Sequence, residues 1–490
     1  MTVHLVGAGC AGPLWITLEG KRLLERADAV VYDSLIHPDL LQLAPSGCEF
    51  FAAGKRKGRQ GMKQHEINAL LVRLGKMGGR TVRLKGGDPF IFGRGGEEAQ
   101  ALESEGIPWT YTPGITAAIG GLGRAGIPPT HRGLADSFTL ATGHTEGDGT
   151  PRNETWQGLA AATGGTTLAV YMGASSWGTL SSLLVENGMS PETPCAAVTR
   201  GGWGCSGTQR FSLGNGPSTF QSPSILAAGG TAGLELSPRF GPIAGLQAGI
   251  VRPAPESWET ARLLDELGAD GYSLPLLAPE ELPFSGEEEL LSRASWVVLT
   301  SPRGAALFSR RIDPRKISGK IASIGPGTTE ALARSGLRAD CEARPATSEA
   351  LASLLSEKTG IGELVVFFRN ESGSPLPEEA VRSAGAHAVN IPAYRMIPSL
   401  PPGWESYGDL WDETGLDAIV FGSAALVDAW CRLGLTLQEK TIPVAWGSAC
   451  ARAAERLLGR DVLVMKEPTL EGLVNALIEI RKRKTQEEEK

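Results

Sequence analysis

The chain has 490 residues, 41% of them hydrophobic and 21% charged, with a formal net charge of −7. That length calls for more than one domain, and the composition is that of a soluble globular protein. No apolar run reaches the ~18 residues of a membrane span, and the net acidity argues against general nucleic-acid binding. The seven cysteines are scattered and lack a CxxC pair. No disulfide framework or metal site is therefore expected, and a reducing cytoplasm is the simple setting. The N-terminus enters a strand directly, without the pattern of a signal peptide.

In chain order, residues 3–9 read as a buried strand running into the turn Gly7-Ala8-Gly9-Cys10-Ala11-Gly12. A helix (Thr17 to Ala27) and a strand (Ala29 to Asp33) follow. This is a β-loop-α-β unit of an α/β fold with parallel strands. The turn matches G-x-G-x-x-G with Asp33 about 20 residues on, so a dinucleotide site and a plain tight turn are both open at this point. Gly54-Lys55-Arg56-Lys57-Gly58 is a basic turn, and Gln64 to Leu74 a helix. Then comes Arg83-Leu-Lys-Gly-Gly-Asp-Pro-Phe-Ile-Phe-Gly-Arg-Gly-Gly-Glu-Glu98. Its glycine pairs, its charges and its helical ending suit a binding loop better than a core. Beyond the strand 109–111, Pro113-Gly114 forces a turn and Thr116 is placed to cap the next helix. Further strands are expected at 138–142, 167–172, 194–200 and 224–228, with a surface loop from Glu146 to Asn153.

These blocks together resemble the tetrapyrrole methylases, uroporphyrinogen-III C-methyltransferases in particular. The resemblance is carried by Val6-Gly7-Ala8-Gly9, Val30 to Asp33, Gly54-Lys55-Arg56, Gln64 to Asn68 and Arg83 to Glu98. It continues in Pro113 to Ala117, Gly126 to Arg132, Thr142-Gly143-His144 and Tyr171-Met172-Gly173. It implies two α/β subdomains, about 1–133 and 134–237, with S-adenosylmethionine and a tetrapyrrole in the cleft. It turns the glycine motif from a dinucleotide site into part of a methyl-donor site. Asp33 then matches the proposed proton acceptor and Lys55 the proposed donor. Gly86, Gly87, Asp88, Ile91, Thr116, Ala117, Met172 and Gly201 match cofactor contacts. Arg94 and Glu97 match an element near the substrate. Cys10-Ala11-Gly12 departs from the family's Pro-Gly-Asp at a cofactor contact.

After a linker, 238–247, the chain repeats itself. Arg252 recurs as Arg369, Leu267-Gly268-Ala269 as Ala384-Gly385-Ala386, and Leu274-Pro275 as Ile391-Pro392, an offset of 117. Trp296 to Ser301 recurs as Ala418 to Ser423, and Thr347 to Leu351 as Thr469 to Leu473, an offset of 122. Two near-constant offsets indicate two copies of one α/β unit. This half resembles uroporphyrinogen-III synthase, which implies a duplicated two-lobe α/β fold over 248–482. Lobe 1 would comprise about 248–277 plus 398–482, and lobe 2 about 278–397, with 483–490 a charged tail and Arg481 to Lys490 a frayed helix end. The implied chemistry is cofactor-free cyclisation of hydroxymethylbilane with inversion of the last ring. Tyr394 matches the family's cleft tyrosine, against an alternative in which it only packs on the sheet. Ser301, Thr328 and Ser423 match hydroxyl-bearing turns and also suit helix N-caps. Arg252 is a carboxylate-binding candidate, and Cys450 stands where the family often has threonine.

The leading expectation is a bifunctional enzyme taking hydroxymethylbilane through uroporphyrinogen III to precorrin-2, with a homodimer through the methyltransferase half. The alternatives are a methyltransferase carrying a degenerate C-terminal binding module, and an NAD(P)-dependent oxidoreductase using Gly7 to Gly12 and Asp33.

Overall fold

Val3, Leu5 and Val6 are fully buried, and they build the strand Thr2–Gly7 at the heart of a parallel sheet. The computed structural model describes residues 2–54, 61–144, 153–161, 165–238, 240–283 and 287–488. It divides into two units, Met1–Leu276 with Leu400–Lys490, and Leu277–Ser399.

The first unit contains three sheets. The first runs Glu49–Ala52, Ala29–Tyr32, Arg80–Lys85, Thr2–Gly7, Trp109–Thr112, with every pair parallel. Such a sheet collects its loops at the carboxyl ends of the strands, where α/β folds bind ligands. Gly7, Gly87 and Gly114 meet at this edge, and a methyl group on Gly114 would overlap the Gly87 carbonyl. The second sheet runs Ser137–Thr142, Thr166–Tyr171, Ser224–Ala228, Pro194–Thr199, Gly207–Ser212. Its first pair is parallel and the rest antiparallel. The expected surface loop Glu146 to Asn153 lies outside the described residues except for Asn153, which opens the helix Asn153–Ala161.

The third sheet is wholly parallel, in the order Asp270–Ser273, Gln247–Val251, Ala418–Phe421, Ile442–Ala445, Leu463–Val464. The second unit has one sheet: Leu277–Glu281, His387–Pro398, Leu364–Asn370, Trp296–Leu299, Lys320–Ser323, Cys341–Glu342. Its last five strands repeat the third sheet's order. The first residues of equivalent strands differ by 117 for Gln247/Leu364 and Asp270/His387, and by 122 for Trp296/Ala418, Lys320/Ile442 and Cys341/Leu463. The internal repeat in the sequence is thus a repeat of sheet topology.

The charged tail is not frayed where it is described. The helix Leu470–Glu488 runs on, because Arg481 donates to the Pro242 carbonyl at 2.8 Å and Lys484 reaches Asp417 at 2.9 Å.

Candidate active site

The loop Arg83–Glu98 departs from the sequence expectation in one respect. The stretch was expected to suit a binding loop better than a core, yet Arg83, Lys85, Asp88 and Glu98 are all buried. Each has a partner, which is what burial of a charge requires. Arg83 and Lys85 are two apart on one strand and so face the same side. Glu98 Oε1 accepts from Arg83 Nε at 3.0 Å and from Lys85 Nζ at 2.9 Å. Arg83 Nη2 donates to Asp33 Oδ1 at 2.6 Å, and Lys85 Nζ lies 3.9 Å from Asp33. Burial pulls both cations toward neutrality. In Arg83 the charges of Asp33 and Glu98 more than offset it, raising its pKa, whereas Lys85, also repelled by Arg83, is lowered. Asp88 is absorbed by the loop itself. Its carboxylate accepts from Phe90 N at 2.8 Å, Tyr111 Oη at 2.7 Å and Gly114 N at 3.0 Å.

Beside this loop lies a cavity of about 910 Å³. Gly86, Gly87, Asp88 and Ile91 line it, with Cys10 from the glycine turn. Thr116, Ala117, Met172 and Gly201 complete the sequence-expected set. Burial pushes the Cys10 thiol up to about 11, so it is a neutral apolar contact rather than a nucleophile. Thr116 sits at the N-cap of the helix Ala117–Arg124 but does not cap it. Its hydroxyl pairs with Tyr171 Oη at 2.5 Å, and Tyr171 also accepts from Ala118 N. Among the described residues four non-glycines have left-handed backbones, Phe92, Arg94, Met172 and Arg200. Three of these line the cavity and Arg94 stands two residues from Phe92. Strained backbone gathers where a ligand site over-determines it.

The other expected catalytic residues are placed differently. Asp33 is partly exposed and held by Arg83. Arg94 and Glu97 are exposed and pair with each other at 2.7 Å, which lowers the Glu97 pKa; neither lines the cavity. Lys55 lies outside the described residues. The dinucleotide alternative loses its footing here. Gly9 exchanges backbone hydrogen bonds with Gly87, and Asp33 is tied to Arg83 rather than offered to a ribose.

Residues 404–414 were not expected at this site. Ser406, Asp409, Leu410, Asp412 and Glu413 of the helix Trp404–Thr414 line the same cavity, and Glu413 pairs with the buried Arg200. A buried polar network fastens this helix and its neighbours to the methylase-like sheet. Asp39 accepts from Arg262 at 2.8 Å, Ser273 N at 2.9 Å and Tyr407 at 2.8 Å. Gln42 donates to the Ser273 carbonyl and Tyr407 Oη at 2.7 Å each. Asp270 accepts from Gly204 N at 2.6 Å and Cys205 N at 3.2 Å. The spacing Trp404, Tyr407, Trp411 marks a buried helix stripe in the sequence, but nothing local says what the other face meets.

The candidates of the second half sit where parallel strands end. In the first unit, Arg252 follows Gln247–Val251, donates to Thr260 Oγ1 at 3.0 Å and stacks on Trp446 at 4.2 Å. Ser423 is exposed at the N-cap of Ala424–Arg432, without a side-chain cap bond. Cys450 Sγ contacts the Phe421 carbonyl, and burial raises its pKa. In the second unit, Tyr394 is buried in the core, and its hydroxyl is 2.9 Å from Ser301 Oγ. Ser301 also caps the helix Pro302–Arg311 by accepting from Gly304 N at 2.9 Å, as its N-cap reading expects, and Tyr394 packs on the sheet. Thr328 is buried inside the first turn of Pro326–Arg334, not at its N-cap.

A glycine-built cavity at the carboxyl edge of a parallel sheet, followed by a duplicated α/β sheet, defines a chain with two enzyme parts. The model of the family "Tetrapyrrole (Corrin/Porphyrin) Methylases" matches residues 2–213, and that of "Uroporphyrinogen-III synthase HemD" matches residues 259–475. The chain belongs to both families, a tetrapyrrole methylase joined to a uroporphyrinogen-III synthase, and is a bifunctional enzyme of tetrapyrrole biosynthesis. It is 36% identical over 68% of its length to 71% of a uroporphyrinogen-III C-methyltransferase of Bacillus subtilis. It is 30% identical to the porphyrin biosynthesis protein HemD of Ruminiclostridium josui, over 98% of both chains. A siroheme synthase of Sodalis glossinidius is 50% identical, but the match spans 41% of either chain. A solved Thermus thermophilus uroporphyrin-III C-methyltransferase, complexed with S-adenosylhomocysteine, is 35% identical. It covers 47% of this chain and 98% of its own, with a TM-score of 0.42.

Proposed function

We propose that the chain cyclises hydroxymethylbilane to uroporphyrinogen III and methylates that product twice with S-adenosylmethionine, giving precorrin-2. The observation that carries the methyltransferase reading is the cavity. Nine positions scattered from Cys10 to Gly201 line one space, and they are the positions expected of a methyl-donor site. Glycine at 87 leaves room for a ligand against the backbone, since a methyl group there would meet nothing closer than 3.8 Å. S-adenosylmethionine, when bound, supplies a sulfonium-activated methyl group. The chain's own work is then positioning and proton handling. Asp88 holds the loop in shape. Asp33, oriented by Arg83, is assigned to accept the proton that leaves the macrocycle. Lys55 is assigned as donor, and Arg94, beside Glu97 near the substrate, is assigned to pair with a substrate carboxylate or to help deprotonate the macrocycle.

For the synthase, Tyr394 with Ser301 is assigned to assist departure of the hydroxyl of hydroxymethylbilane. Arg252 is the candidate for binding a substrate carboxylate, and Ser301, Thr328 and Ser423 are the further substrate-binding candidates. The domain assignment is 1–237 for the methyltransferase, 238–247 as linker and 248–482 for the synthase, with 483–490 as tail. A homodimer through the methyltransferase half and a cytoplasmic setting complete the reading, and light scattering of the purified chain tests the dimer.

The decisive experiment incubates the full chain anaerobically with hydroxymethylbilane and S-adenosylmethionine. Dimethylated product by mass spectrometry is expected, and its absence overturns the reading. Uroporphyrinogen I in place of the III isomer, when the donor is left out, would reduce the second half to a binding module.

A further inference from the structure

The helix Trp404–Thr414 has two working faces. Trp404, Tyr407 and Trp411 recur at helical spacing and interlock, with ring centroids 5.7 Å apart in each pair. Ser406, Asp409, Leu410 and Glu413 follow the i, i+3, i+4, i+7 rhythm on another side, and they line the methyltransferase cavity. The synthase half thus builds one wall of the methyltransferase site.

That wall is acidic. Asp88, Asp409, Asp412 and Glu413 line the cavity against one cation, Arg200, among the described residues, and Arg200 is engaged by Glu413. Asp88 is committed to the loop by three hydrogen bonds. The two ligands of this site differ in sign. The macrocycle carries eight carboxylates, which a carboxylate wall repels. The methyl donor carries a sulfonium cation, which the wall attracts, and the spent donor has lost that charge. We propose that Asp409, supplied by the synthase half, is a specificity-determining residue of the methyltransferase site: its charge favours the sulfonium donor over the neutral-sulfur product. The proposal rests on the reading of the cavity as the S-adenosylmethionine site.

The test is calorimetric titration of the full chain with S-adenosylmethionine and, separately, S-adenosylhomocysteine, in low and high salt. Asp409→Asn should raise the Kd for S-adenosylmethionine about fivefold and leave that for S-adenosylhomocysteine within about twofold, and Asp409→Glu should restore the wild-type ratio. The wild-type preference should shrink as salt screens the wall. Equal weakening of both ligands in Asp409→Asn overturns the proposal, because a packing role moves both alike. Should the variant not fold, a wild-type preference indifferent to salt overturns it too. Failure of the wild type to bind either ligand is a separate result, against the underlying reading of the cavity.

Discussion

Arg83 reaches to the end of the neighbouring strand to place Nη2 2.6 Å from Asp33 Oδ1, while its Nε holds Glu98 at 3.0 Å. One buried guanidinium thereby fixes the orientation of the carboxylate assigned to proton transfer, in a fork that a lysine does not reproduce. Asp33→Asn should lower kcat about 10²-fold, with the S-adenosylhomocysteine Kd unchanged by titration. Arg83→Leu leaves Asp33 and the buried Glu98 with only Lys85 as a cation, at 3.9 Å and 2.9 Å. It should show the same loss of kcat and cost about 3–5 kcal/mol of stability in denaturant unfolding.

Asp88 and Arg94 should separate binding from turnover. Asp88→Ala removes the acceptor that holds Phe90 N, Gly114 N and Tyr111, and hydrogen bonds to a charged group contribute about 1.5–3 kcal/mol each. The donor loop should loosen and the S-adenosylhomocysteine Kd rise at least tenfold, or about 1.4 kcal/mol. Arg94→Ala removes an exposed pair with Glu97, a kind of pair that contributes less than about 1 kcal/mol. Turnover should fail with the ligand still bound.

Tyr394→Phe removes a hydroxyl and spares the buried ring. Ser301 keeps its role at Gly304 N, so the fold should survive. Formation of uroporphyrinogen III, followed as type III isomer by chromatography, should fall about 10²-fold. Methylation of supplied uroporphyrinogen III should be unaffected.

Asp270 gives a pH test of the contact between the two halves. Burial lifts its pKa to about 6 against an ordinary 3.8. The folded chain therefore holds a proton that the unfolded chain has released, and this contribution to stability is complete below about pH 4 and lost as pH rises through about 6. Denaturant unfolding of wild type against Asp270→Asn across pH 4–7 should show a steeper fall in the wild type than in the variant, where the buried Asp265, raised to about 7, still contributes.

Much of this chain was legible from residue order. The strand–glycine turns at 7–12 and 86–88, the family motifs and the offsets of 117 and 122 are local or periodic signals, and the sheets obey them. The burial of Arg83, Lys85 and Glu98 was not legible. A charged loop reads as solvent-facing until the partners that neutralise it, one strand or one helix away, are known.

The sequence by itself determined the duplicated topology, which is written in a repeat at constant offset, and, through its resemblance to two families, their order and nine of the positions that line the cavity. Only the tertiary structure decided that Thr116 pairs with Tyr171 instead of capping its helix. It alone decided that Arg83 governs Asp33, and that a helix more than 200 residues after Gly201 walls the same cavity. Those are contacts between segments far apart in the chain, and they are set by how the buried faces of whole elements pack.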